Sequence, residues 1–299
     1  MKGLLLLDKP ENKTSYGAVA SVKRLSGEKR IGHTGTLDPM ATGVLPILLG
    51  RATALSSYLL DADKTYIARI RLGTVTDTCD ITGEILAENE VNVSETDLEK
   101  TVMGFLGTIK QRPPMFSALK KDGVRLYELA RKGETVDIPE REVNIISLKI
   151  LSALDNTHEF ELEAHVSKGT YIRSLARDIG DALGCGATLT ALRRTATSGF
   201  DISQCVPLDN LTPENLTSHL LSEETVVKQF QAVQVTEKQA TRFCNGGQLA
   251  LERLRIQKIA DGELLRVRFQ DTFLGLGRVD AERHELAVRC VINNPDTKR

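Results

Sequence analysis

The chain has 299 residues, a net charge of −1, and 26% charged against 41% hydrophobic residues. That length buries a core without covalent staples, and the composition excludes a disordered or collagen-like chain. Cys79, Cys185, Cys205, Cys244 and Cys290 are odd in number and widely spaced, which excludes an even disulfide framework and a CxxC metal pair. The histidines form no HxxxH or HExxH pattern, so no metal site is expected.

In MKGLLLLDKP the leucine run meets Asp8, Lys9 and Pro10 at once, too short for a signal peptide or a membrane span. It predicts a short buried strand in a cytoplasmic protein with no membrane contact. Ser15 is the expected cap of a helix with Val19, Val22 and Leu25 on its apolar face, ending near Gly27. A basic strand and turn, RIGHTGTLDP, follow. In TYIARIRLG, Tyr66, Ala68, Ile70 and Leu72 alternate with Ile67, Arg69 and Arg71, the pattern of a half-buried strand.

Residues 110–141 combine Pro113 and Pro114 with a short helical patch stopping at Gly133, and read as a surface insertion. Lys110, Arg112, Lys120, Lys121, Arg125, Arg131 and Lys132 make it a basic arm suited to nucleic acid. EFELEAHV alternates again, with Phe160, Leu162, Ala164 and Val166 on one face, and leads through SKGTYIRSL into a helix ending near Gly184. The stretch after Pro207 is acidic, and the tail beyond it has strand-and-glycine texture, as in a small β-barrel. The domains expected are 1–208, an acidic linker 209–229, and 230–299. Mixed helices and alternating strands make the whole α+β.

Charge is distributed unevenly. Residues 1–60 carry eight Lys or Arg against four acids, whereas residues 201–230 carry five acids against Lys228 alone. Fields act over about 8 Å at physiological salt, so a basic patch attracts phosphate even on a nearly neutral chain, although charge runs alone are more often solvated faces.

In GHTGTLDPMATGVLPILLGRAT, Asp38 precedes Pro39, which favours an extended Asp38 at a turn, with its carboxylate at a strand end and open to a cleft. Gly32, Gly35 and Gly43 would let another backbone approach closely. No Gly-Lys-Ser/Thr ending makes this a phosphate-binding P-loop. On these residues alone, Asp38 reads more readily as a structural turn residue than as a catalytic one.

The segment resembles the signature of TruB-type tRNA pseudouridine synthases. So do GLLLLDKP, YLLDADKTYIARIRLGTVTDTCD, PPMFSALKKDGVRLYELAR, SKGTYIRSLARDIG and LGCGATLTALRRTATSGF, in that order across most of residues 3–200. The resemblance implies a mixed, largely antiparallel central sheet flanked by helices, followed by a small C-terminal PUA-like RNA-binding β-barrel facing the acceptor-stem side of tRNA. It implies isomerisation of uridine 55 in the T loop, with no cofactor. It places the nucleophile at Asp38, the active-site tyrosine at Tyr66 and the arginine pairing with the nucleophile at Arg173. His33, Tyr171 and Leu192 are implied to contact the substrate nucleotide and its neighbours. Arg173 is expected to lower the pKa of Asp38. The expected partner is the T arm of tRNA, with no DNA, no obligatory protein partner and a monomeric state. The alternatives are a guide-RNA-dependent synthase and a tRNA-folding chaperone.

Overall fold

The computed structural model describes residues 1–121, 123–134, 136–256 and 260–294. The expected arm therefore includes Asp122 and Thr135, and the expected tail domain residues 257–259 and 295–299, which lie outside the described residues. The side chain of Lys121 lies outside them as well.

The chain opens with β1 (Gly3–Lys9), α1 (Ser15–Ser26), β2 (Ile31–His33), β3 (Thr42–Leu49) and β4 (Lys64–Leu72). After α2 (Glu95–Met103) come β5 (Gly107–Gln111), the short α3 (Leu126–Ala130), β6 (Arg141–Ile150), β7 (Glu159–Val166), α4 (Ile172–Ala182) and β8 (Ala187–Thr197). Two short strands, β9 (Val206–Pro207) and β10 (Leu220–Leu221), return to β1. Among the described residues these strands form one sheet in the order β9–β1–β3–β8–β4–β7–β6–β5, with β2 along β3 and β10 along β1. The β1–β9 and β3–β8 pairs are parallel and the other named pairs antiparallel. The α+β reading with a mixed, largely antiparallel sheet agrees with this.

The leucine run of β1 has a direct explanation. Leu5 and Leu7 enter the main core, while Leu4 and Leu6 enter a second core on the opposite face. A strand covered on both sides loses the polar half of its alternation. In β4 the alternation survives: Tyr66, Ala68, Ile70 and Leu72 are buried, while Arg69 is exposed. Each full side chain removed from water there contributes on the order of 1.5–3 kcal/mol.

Helix α1 is capped one residue earlier than expected. Thr14 accepts from the Gly17 amide at 2.9 Å, and Gly27 ends the helix at φ 64° with its N–H on the Lys23 carbonyl. The reason lies in burial. Ser15 is buried, and its Oγ accepts from the Leu37 N–H at 2.8 Å and donates to the Leu37 carbonyl at 3.0 Å, so exposed Thr14 takes the cap. A cap contact thereby became a bond to the Asp38 loop.

The segment 209–229 is packed against the protein. Leu211 and Leu216 join the main core, and Val226 and Val227 join the second, beside Phe273, Leu276 and Ile292 of the tail. The tail holds β11 (Gln231–Gln234), α5 (Glu237–Cys244), β12 (Leu249–Ala250), β13 (Leu264–Phe269), β14 (Thr272–Asp280) and β15 (Glu285–Val291). Its sheet runs β11–β13–β14–β15–β12, and among the described residues its two edge strands do not pair. The small β-barrel expected here is, among the described residues, a curled half-barrel sheet, with Ala240 and Phe243 of α5 packed into its core. Among the described residues no helix is long and apolar enough to cross a membrane.

Candidate active site around Asp38 and Arg173

Asp38 sits in the loop between β2 and β3, five residues beyond the end of β2. It does not end a strand, as the sequence led us to expect. Tertiary contacts hold the loop instead. Ser15 binds Leu37 on both backbone atoms, the Ala41 N–H returns to the Asp38 carbonyl at 3.1 Å, and Lys9 reaches the Pro39 carbonyl at 3.1 Å. The fully buried Lys9 ammonium also donates to the carbonyls of Pro10 and Lys13, at 2.8 and 2.6 Å. Burial pushes its pKa down to about 8, while the charge of Asp38 opposes that fall.

Arg194, likewise fully buried, donates from Nε to the Val44 carbonyl at 2.7 Å and from Nη2 to the Gly35 carbonyl at 3.0 Å. The backbone of Arg194 presses on Gly43, where a Cβ would stand 2.2 Å from its carbonyl oxygen and φ is 106°. Close approach thus explains Gly43. Gly35 has a left-handed φ of 86° beneath the same guanidinium, and Gly32 faces open space, so the expectation fails at Gly32.

The structure brings Asp38 and Arg173 together across 135 residues of sequence. Arg173, the second residue of α4, meets the carboxylate with Nε at 2.9 Å from Oδ2 and Nη2 at 3.1 Å from Oδ1. This fork is the strong, direction-fixing form of the pair. The guanidinium is otherwise saturated by the carbonyls of Thr78 (3.1 Å) and Phe116 (2.9 Å) and by Asp80 Oδ2 at 3.5 Å. It is buried, whereas 34% of the Asp38 side chain remains open to solvent. The carboxylate is thus aimed and partly accessible while its counter-ion is locked.

Sequence reasoning missed Asp80. Its buried carboxylate accepts from Thr78 Oγ1 at 2.9 Å and from the N–H and Oγ1 of Thr82 at 3.0 and 2.5 Å, while touching Arg173. It lay inside the quoted TVTDTCD stretch, but no spacing there singles it out. Two carboxylates sharing one guanidinium change the electrostatics. Burial raises the pKa of Asp38, Arg173 pulls it down as expected, and Asp80 raises it again, so the net direction is upward. The lowering expected from Arg173 is present, but burial outweighs one shared counter-ion, so it does not set the net direction.

Tyr66 is buried on β4 opposite Arg194 of β8, and lies in the same core cluster as Leu37, beside Asp38, and Leu192. Tyr171 ends the loop before α4, with Arg141 over its ring at 5.2 Å. His33 ends β2; burial and then the charge of Arg194 lower its pKa, so it is held neutral, and its Nδ1 is buried without a hydrogen-bond partner. Among the described residues no group of His, Cys, Asp or Glu is arranged to hold a metal ion.

The basic arm crosses this site on its inner side. Besides the Phe116 carbonyl, the Arg112 carbonyl accepts from Ser174 Oγ at 2.8 Å and from Arg177 Nη2 at 3.2 Å. Its outer side exposes Lys110, Arg112, Lys120, Arg125, Arg131 and Lys132, with Tyr127 between the guanidinium groups of Arg125 and Arg131.

Solved structures with this fold include a "Cbf5-Nop10-Gar1 Complex", whose matching chain superposes with a TM-score of 0.71 at 26% identity, covering 97% of this chain and 84% of that one. The model of the TruB family pseudouridylate synthase N-terminal domain matches residues 23–172, and that of the tRNA pseudouridylate synthase B C-terminal domain matches residues 173–231. A protein of Clostridium acetobutylicum named tRNA pseudouridine synthase B is 41% identical over 283 residues, 94% of this chain and 97% of the relative. One of the same name from Azoarcus is 45% identical over 279 residues, 92% and 90% of the two chains. The chain belongs to the TruB family of pseudouridylate synthases.

Proposed function

We propose that this protein isomerises uridine 55 in the T loop of tRNA to pseudouridine, alone and without a cofactor. The observation that carries the reading is the Asp38–Arg173 fork with its partly exposed carboxylate, set in a chain of this family. Pseudouridine formation breaks the C1′–N1 bond, turns the uracil and rejoins it through C5, with every atom conserved. A carboxylate suffices for that exchange. Attack at C6, attack at C1′ and removal of a sugar proton all need Asp38 ionised and aimed, which is what Arg173 provides.

A uridine in a folded loop reaches the site only by leaving its stack, at a cost of a few kcal/mol. Neutral His33, with a free ring nitrogen, takes a place in the loop the base has left. Tyr66 stacks on the uracil and serves the C5 proton, while Tyr171 and Leu192 wall the ring. The exposed cations of residues 110–141 hold the RNA backbone, and the open tail sheet acts as a PUA-like platform toward the acceptor stem. Residues 1–208 form the catalytic body, 209–229 the strap and 230–299 the tail domain, working in the cytoplasm as a monomer. Identity of 41–45% to stand-alone-sized relatives, against 26% to the chain from a complex, favours this over a guide-RNA-dependent enzyme.

The test is Asp38→Asn. Pseudouridine, mapped by carbodiimide primer extension on a T-arm hairpin, is expected to disappear while hairpin binding survives. Undiminished product would overturn the mechanism, and wild-type product only after adding a guide RNA or partner proteins would favour the other enzyme.

A further inference from the structure

The basic arm is rooted on a β5–β6 strand pair in which Gln111 lies opposite Arg141. Both roots hold Tyr171. The buried Gln111 amide accepts the Tyr171 N–H at 2.8 Å and donates to the Tyr171 carbonyl at 3.1 Å. Arg141 lies over the ring of the same residue, 5.2 Å from its centroid, and its Nη1 stands 3.8 Å from the place a Cβ would occupy on Gly169.

What distinguishes Arg141 is what it lacks. Its Nη2 is shut off from solvent and has no acceptor, and among the described residues the guanidinium has no carboxylate partner. The buried arginines of the site are paired: Arg173 with Asp38, Asp80 and the carbonyls of Thr78 and Phe116, and Arg194 with the carbonyls of Val44 and Gly35. A permanent cation with a desolvated, unpaired N–H carries a penalty that an incoming acceptor would remove. The fold supplies such acceptors twice nearby and leaves this Nη2 without one.

We propose that Arg141 is an anion site for one phosphodiester of the bound RNA, the one flanking the flipped uridine. Arg141 as a whole is only partly buried, so a turn of its side chain presents the guanidinium to paired non-bridging phosphate oxygens, with the Tyr171 ring beside it as a support. Tyr171 lies two residues from Arg173, so the same short segment sets both the phosphate contact and the counter-ion of Asp38. The cations exposed nearby on the arm, Lys110 and Arg112, favour a polyanion over a single acidic side chain. The inference rests on the RNA substrate proposed above.

The experiment measures binding of a T-arm hairpin against salt for wild type, Arg141→Ala, Arg141→Lys and a control, Arg69→Ala, whose charge is engaged with Glu159. A second set of hairpins carries a neutral methylphosphonate at each linkage around the target uridine. Removing one phosphate contact is expected to make the slope of log K against log salt shallower by about 0.7 in Arg141→Ala and to leave Arg69→Ala unchanged. One methylphosphonate position is expected to weaken wild type about 10-fold and to have no effect on Arg141→Ala, with Arg141→Lys between. The neutral linkage perturbs no protein, so a poorly folded variant does not blur the result. An unaltered slope in Arg141→Ala, or sensitivity to every linkage that wild type senses, would overturn the site. Conversion of the unmodified hairpin by wild type, read separately, decides whether such a failure touches Arg141 alone or the proposed reaction.

Discussion

The Asp38 loop and the basic arm meet at Arg173 but are held in opposite ways. Around Asp38 the bonds come from distant positions: Ser15, Lys9, Arg173 and Arg194, each on a different element. Among the described residues of the arm beyond Phe116, backbone bonds such as Leu126 N–H to Leu119 and Tyr127 N–H to Ser117 are local, and the guanidinium groups of Arg125 and Arg131 lie near the Tyr127 ring. Long-range bonds fix a reacting group to within the tolerance chemistry demands. Local bonds keep a segment shaped while leaving its position free to answer a ligand. The two regions are joined through the carbonyls of Arg112 and Phe116, and the contrast fits the chemistry proposed for the loop and the grip proposed for the arm.

Breaking the loop side is expected to have the largest effects. Arg173→Lys retains the charge but loses the fork on Asp38 and the Thr78 and Phe116 contacts, and single-turnover conversion is expected to fall about 10²–10³-fold. Retention of wild-type rate would show that charge alone suffices. Lys9→Met leaves three carbonyls without their donor, and chemical denaturation is expected to reveal a loss of about 3 kcal/mol.

The pH profile sharpens the comparison. Burial and Asp80 raise the pKa of Asp38. Because the ionised form reacts, activity is expected to fall with decreasing pH at a point above the ordinary carboxylate range. Asp80→Asn removes one upward push, so its acid limb is expected to move to lower pH even if the rate drops. A limb that stays in place would separate Asp80 from the electrostatics of Asp38.

On the arm side the effects are expected to be smallest in stability. Lys120→Ala with Arg131→Ala should change the unfolding free energy by no more than about 0.5 kcal/mol while weakening hairpin binding, with the loss diminishing at high salt. A matching loss of stability would mean that the arm is part of the frame.

The sequence carried much of this in local signals. Alternation marked β4 and β7, the charged stop after the leucines marked β1, and Gly27 marked the end of α1. Those signals are legible because side-chain period and turn conformation depend on a few neighbouring residues. The Thr14 cap was misread as Ser15 because the choice turned on Leu37, which no local window around the helix contains. Asp80 was missed because nothing in its own neighbourhood distinguishes a carboxylate that shares an arginine from one that faces water.

By itself, the sequence marked several of the strands and helices, among them β1, β4, β7 and α1, and, through its family blocks, pointed to Asp38 and Arg173 as partners. Tertiary structure decided how that site works. Insertion of β8 between β3 and β4 places Arg194 beneath the loop, and the approach of α4 brings one guanidinium to both Asp38 and Asp80. Only then does the pKa of Asp38 acquire its direction, because desolvation and charge depend on distances through space and not along the chain.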